Sequence, residues 1–206
     1  MRNQPTKRFV RSVLWQALDR PGTEYSTIWK TAKGWLLDGT ICRVEKKQPA
    51  LLSYRILCDK KWKTNKVELK QTIGIVEDRL TLRVDRRDHW WTDGDELPRL
   101  RGSTDVDLLS SPVTNSLPIR RLSLRKGESR RVRAAWVKLP EMSVQPLDQE
   151  YTRLGANIYR YRSASGFTTR IKVDDFGLVV NYPRFWRRSR DERFGLRLRS
   201  CSRNDP

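Results

Sequence analysis

The chain has 206 residues with 43 Lys and Arg against 24 Asp and Glu, a formal net charge of +19, a length that suits one buried domain rather than two. Eight Trp, six Tyr and five Phe supply core area despite an apolar fraction of only 37%, which excludes a disordered chain. Three cysteines without Cys-x-x-Cys spacing and a lone His89 support neither a disulfide framework nor a zinc site, so no metal and no cofactor is expected.

The N-terminus, MRNQPTKRFVRSVLWQAL, is basic but lacks the apolar core of a signal peptide, and no stretch has the apolar length of a membrane span. A reduced, cytoplasmic protein is the expectation. Residues 1–12 read as a basic, mobile extension, 13–186 as one β-rich domain and 187–206 as a basic tail.

Strict alternation then recurs along the chain. YRIL at 54–57, KVELK at 66–70 and RLTLRV at 79–84 each place apolar and polar residues on opposite sides, with Leu80, Leu82 and Val84 on one face. LSLR at 122–125, the run holding Val132, Ala134 and Trp136, IYRYR at 158–162, FTTRIKV at 167–173 and GLVVNY at 177–182 continue the pattern. Asp174, Asp175 and Gly177 mark a hairpin between the last two, and RKGESR at 125–130 marks another turn around Gly127. Only two helices interrupt the strands. Asn115 caps one through SLPIRRL with Pro118 in its first turn, and Asp148 starts another through QEYTRLG that ends at Gly155. Many short strands joined by tight turns predict a mainly β fold, an antiparallel meander.

In so basic a chain, GSTDVDLLSSPVTNSLPIRRL at 102–122 concentrates acid. Asp105 and Asp107, if extended, share a face with Cα atoms about 6.6 Å apart. Such a pair can receive sugar hydroxyls, hold a hard cation or act as general acid and base, or it can form ion pairs with Arg120 and Arg121. Residue types alone leave these open.

The order Gly102, Asp105, Val106, Asp107, Leu108, Pro112, Thr114, Asn115, Leu117, Pro118, Ile119, Arg120, Arg121, Leu122 resembles the signature of the bacterial putative glycolipid-binding family. SYRILCDKKWKTNKVEL at 53–69, DQEYTRL at 148–154 and VDDFGLVVNYP at 173–183 resemble further segments of it, so the likeness covers most of 24–186. The resemblance implies a long antiparallel sheet curled around a single helix, a half-barrel or β-roll remotely similar to lipoprotein-localisation factors, and a tendency to form homodimers. It also implies a non-enzymatic acidic pocket for the head group of a glycolipid or related amphiphile. Asp105 and Asp107 would line it, with Arg120 or Arg121 holding them, and Trp62, Trp90, Tyr151 and Tyr182 are candidates for an aromatic floor. Glu24, Arg55, Asp59, Asn115, Gln149 and Asp174 are further polar residues in matching segments. Asp174 is expected to serve its hairpin, and Arg55 to be a buried carboxylate partner.

The charge leaves an alternative, a nucleic-acid or other polyanion binder with YRYR at 159–162 or FWRRSR at 185–190 stacking bases. A glycoside hydrolase is a weaker one, since neighbours on one strand cannot flank a bond and a second carboxylate such as Glu24 or Asp174 would be required.

Overall fold

A computed structural model describes residues 7–109 and 111–189. Its strands form a 15-stranded sheet in the order β8-β7-β6-β5-β4-β3-β2-β1-β15-β14-β13-β12-β11-β10-β9. The first half is a meander: β1 (Arg8–Ala17), β2 (Gly22–Thr31), β3 (Gly34–Glu45), β4 (Gln48–Cys58), β5 (Thr64–Ile73), β6 (Val76–Val84), β7 (Trp90–Thr92) and β8 (Asp95–Glu96). The second half comprises β9 (Asp105–Leu108), β10 (Ser129–Lys138), β11 (Ser143–Arg153), β12 (Ile158–Ser163), β13 (Thr168–Val173), β14 (Val179–Tyr182) and β15 (Trp186–Arg188).

Two pairings depart from a simple meander. β1 pairs antiparallel with β15, which joins the two halves through Trp15 opposite Arg188 and Ala17 opposite Trp186. β9 runs parallel to β10, with Asp105 opposite Ala134 and Asp107 opposite Trp136. The return over a helical connection permits this, because parallel neighbours need a crossover.

The sheet rolls over its own edge. Thr64, at the start of β5, accepts from Val106 N at 3.1 Å, and Gln71 Nε2 on β5 donates to Pro140 O at 2.7 Å. Val106 and Leu108 of β9 therefore pack with Ala135, Val137, Val67, Trp90 and Leu82 in the larger core cluster. Asp105 and Asp107, by the period of two, take the other face of β9.

That face meets α1 (Ser116–Leu122), the one α-helix among the described residues, which continues from a 3-10 turn at Pro112–Asn115. Leu117 and Val113 enter the larger cluster, and Ile119 joins Tyr151, Tyr159, Tyr161, Ile171 and Val179 in the smaller one. Seven helical residues are too few to be stable alone; burial on both sides holds them. No helix among the described residues is long and apolar enough to cross a membrane.

Apart from LSLR, the expected strands form, and so does the Asp174 hairpin. In that hairpin Asp174 Oδ1 accepts from Phe176 N and Leu178 N at 3.0 and 2.9 Å, and Gly177 takes φ +89°. Three readings need correction. The helix expected from Asp148 is strand β11: Leu147, Gln149 and Tyr151 alternate inward, and the inward polar Gln149 disguised a period of two. LSLR is not a strand, since Leu122 ends α1, Ser123 turns left-handed at φ 45° and Leu124 plugs the smaller cluster. Asn115 starts the helix without a side-chain cap; Ser111 does the capping, its Oγ accepting from Val113 N at 3.2 Å.

At the ends, β1 begins at Arg8, inside the stretch read as an extension, and Arg187 and Arg188 belong to β15. The tail from residue 190 onward, with Cys201, lies outside the described residues, as do residues 1–6. Cys42 is exposed and Cys58 buried, both as free thiols.

Candidate functional site

A cavity of about 370 Å³ opens between the helix side of β9–β12 and the ends of β1 and β3. Its apolar lining includes Leu108, Trp136, Leu139, Leu147 and Phe167. Asp107, Ser111, Asn115, Tyr161 and Tyr182 give it a polar end, and Asp19, Arg20, Arg43 and Glu45 are charged residues on its lining. Its size lies within the range of small-molecule sites, about 300–1,000 Å³.

The two aspartates have separate fates. Asp105 is buried and closed off by Arg121, whose Nε donates to Oδ1 at 3.1 Å and Nη2 to Oδ2 at 2.5 Å, while the same Nη2 reaches Thr104 Oγ1 at 2.9 Å. This is a forked, charge-assisted pair. Burial still pushes the Asp105 carboxyl upward, with the Arg121 contact pulling against it.

Asp107 instead faces the cavity. A directional chain supports it: Asn115 Nδ2 donates to the Tyr151 hydroxyl at 3.0 Å, Tyr151 donates to Gln149 Oε1 at 3.4 Å, and Gln149 Nε2 donates to Asp107 Oδ2 at 2.5 Å. Desolvation lifts the Asp107 carboxyl to about 6, against the lowering effect of the Gln149 hydrogen bond and with a small push from the Asp105 charge. Burial, and next the Asp107 charge, keeps the Tyr161 and Tyr182 phenols protonated well beyond their ordinary range. The polar end thus sets one carboxylate beside neutral hydroxyl and amide groups, a mixture that can accept from and donate to vicinal hydroxyls.

Glu24 lies behind this end. It is wholly buried on β2, and its Oε1 accepts from the Tyr54 hydroxyl at 2.6 Å and from Ser111 Oγ at 2.7 Å. Burial raises it to about 8, so it is a neutral acid near pH 7. Ser111, not Glu24, presents to the cavity. Gly39 leaves the room this network needs: a Cβ there would meet the Tyr54 hydroxyl at 2.3 Å.

The charged rim comes from two hairpins. Arg43 lies 3.0 Å from Glu45, Arg20 lies 3.8 Å from Glu45 and 3.0 Å from Asp19. Burial lowers the Arg43 guanidinium from its usual range.

Other residues singled out from the sequence lie elsewhere. Arg120 stacks over Phe176 and Trp62 at 4.2 and 4.9 Å and donates to Phe176 O at 2.7 Å, away from both aspartates. Trp62 is buried and stacked on Trp35 at 4.4 Å, and Trp90 sits in the core with its indole N–H on Ser103 O at 2.9 Å. Arg55 is half-exposed rather than buried, between Asp38 and Glu68 at 3.6 Å each. Asp59 Oδ1 serves a turn through Lys61 N and Lys63 N at 2.8 and 2.9 Å. Asp174 holds its hairpin and pairs with Arg11 and Arg188 at 2.7 and 2.9 Å. Of the aromatic candidates, Tyr182 lines the cavity and Tyr151 supports Asp107 from beneath.

Sequence reasoning missed Tyr161, Trp136, Ser111 and the rim residues. The alternation of IYRYR marks Tyr161 as inward, but nothing local distinguishes a cavity wall from a packed core.

A profile of the family described as "Putative glycolipid-binding" matches residues 12–188. Among solved structures, the chain is similar to the crystal structure of a DUF1089 family protein from Pseudomonas aeruginosa, with TM-score 0.73 and 30% identity over 81% of this chain and 92% of that one. No curated protein matches.

Proposed function

The chain belongs to the "Putative glycolipid-binding" family, and from that membership together with the chemistry of the cavity we propose that it is a non-enzymatic binder of a glycolipid or related amphiphile. The sugar head occupies the polar end. There the Asp107 carboxylate accepts from paired hydroxyls, the Asn115 amide and the Tyr161 and Tyr182 hydroxyls complete the set, and the C–H side of the ring rests on an aromatic wall. The lipid chain follows Leu108, Trp136, Leu139, Leu147 and Phe167. The observation that carries this reading is Asp107 itself. Its carboxylate is held by Gln149 but lines a cavity that Leu108, Trp136, Leu139, Leu147 and Phe167 also line.

Asp105 and Arg121 take a supporting role in this reading. They shape β9 without meeting ligand. The second carboxylate that hydrolysis would need does not come from the expected positions, because Glu24 is sealed behind Ser111 and Asp174 is tied to two arginines.

Calorimetric titration with detergent-dispersed glycolipids on either side of pH about 6 tests the proposal. A charged Asp107 is the better acceptor, so affinity rises as pH increases through that value. No saturable binding to any sugar-headed lipid at either pH refutes it.

A further inference from the structure

The outward face of β12–β15 carries cations that the cavity does not use. On β12 the tyrosines of YRYR point inward, Tyr159 and Tyr161 both being buried, and Arg160 and Arg162 point out. Arg160 stands directly opposite Arg170 of β13, a like-charge pair at the closest cross-strand spacing. Lys172 follows on β13, opposite the exposed Ile158 on one side and Asn181 of β14 on the other, and Asn181 in turn faces Arg187 of β15.

Some exterior cations elsewhere are matched by acids. Arg133 meets Asp148 at 2.8 Å, Lys70 meets Glu77 at 2.7 Å, and Arg55 lies between two acids. Among the described residues, no carboxylate lies within ion-pair distance of Arg160, Arg170, Lys172 or Arg187; only Arg162 approaches one, Glu150 at 3.9 Å. The outward positions of these four strands hold no acid. Opposed like charges oppose sheet formation, and an external anion that neutralises them relieves that repulsion.

We propose that this face docks on an anionic lipid surface. Two observations favour lipid over nucleic acid. The aromatics interleaved with these arginines are turned inside, which leaves no platform for stacking bases. Ile158, 42% exposed, lies among the cations as an apolar contact suited to a lipid interface. The same β12–β13 hairpin also supplies Tyr161, Ser163, Ser165 and Phe167 to the cavity, which lies on the other side of the sheet from the docking face. The docking itself is independent of what the cavity holds.

The test is co-sedimentation of the full-length chain with vesicles of equal parts phosphatidylglycerol and phosphatidylcholine, and with phosphatidylcholine alone. The triple variant Arg170→Gln, Lys172→Gln, Arg187→Gln is compared with a charge-matched one on the opposite half of the sheet, Lys66→Gln, Lys70→Gln, Arg79→Gln. The face variant is expected to lose about fivefold per charge, on the order of a hundredfold, while the matched variant loses only a few-fold. Lys172→Gln alone supplies the fivefold step if the triple variant unfolds. Equal losses in the two triple variants would mean that net charge alone drives binding, and would overturn the proposal. So would absence of binding to the anionic vesicles, or a DNA duplex that binds more tightly at the same salt and loses that binding in the face variant.

Discussion

Gln149 Nε2 donates to Asp107 Oδ2 at 2.5 Å across the sheet, from β11 to β9, while Asp105, two residues from Asp107 and on the same face, is forked by Arg121. The two acids of DVDL therefore do different work. Neutral Gln149 orients Asp107 without neutralising it, so its charge remains available to the cavity; Arg121 cancels the charge of Asp105 and fixes the strand to the helix.

Asp107→Asn should stabilise the fold above pH about 6, where the wild-type carboxylate is charged in a desolvated position. The shift from 3.8 to about 6 sets a ceiling of ~3 kcal/mol, and exposure to the cavity reduces the expected gain to about 1 kcal/mol. Urea unfolding above and below that pH reads it; the gain should vanish toward pH 4, where both forms are neutral.

Arg121→Ala should cost about 3 kcal/mol, because it strands a buried carboxylate. Asp105→Asn paired with Arg121→Gln should recover part of that loss. Chemical unfolding of the set separates a structural pair from a ligand contact.

Glu24 makes stability depend on pH in a predictable direction. Its carboxyl is raised from 4.5 to about 8, so between those values the native state keeps a proton that the unfolded chain has released, and stability falls by about 1.4 kcal/mol per pH unit as pH rises. Above about 8 the loss levels off. Glu24→Gln removes this slope, and the difference in melting temperature between the two proteins across the window checks it.

Gly39→Ala should destabilise by about 1–3 kcal/mol through overpacking, since the added carbon meets the Tyr54 hydroxyl at 2.3 Å and Tyr25 O at 2.8 Å. Pairing it with Tyr54→Phe should not rescue it in thermal unfolding, because the ring carbon Cζ at 2.4 Å remains and Glu24 loses the Tyr54 hydroxyl as donor.

Much of the fold could be read from period and turn chemistry. RLTLRV and IYRYR declared their inner and outer faces, and Asp174 with Gly177 declared a hairpin. The acid pair and Arg121 were visible as charge in an odd place. Long-range closure was not. Nothing local says that β1 pairs with β15, or that β5 overlaps β9, yet these contacts carry Asp19, Arg20, Arg43 and Glu45 to the cavity rim. Gln149 was misread because an inward polar residue breaks the apolar alternation that marks a strand, and it is inward because Asp107 needs a partner. Arg120 failed for the opposite reason. Its charge suggested a carboxylate, whereas its guanidinium found two aromatic faces and a carbonyl.

The most direct test of the account is native mass spectrometry of the gently purified protein and of its Asp107→Asn variant, followed by extraction and identification of any retained lipid. The account predicts a sugar-headed lipid in the parent that is lost from the variant while the variant keeps its unfolding transition. Retention of the same lipid by both proteins, or a parent that carries only lipids without a sugar head, would contradict it.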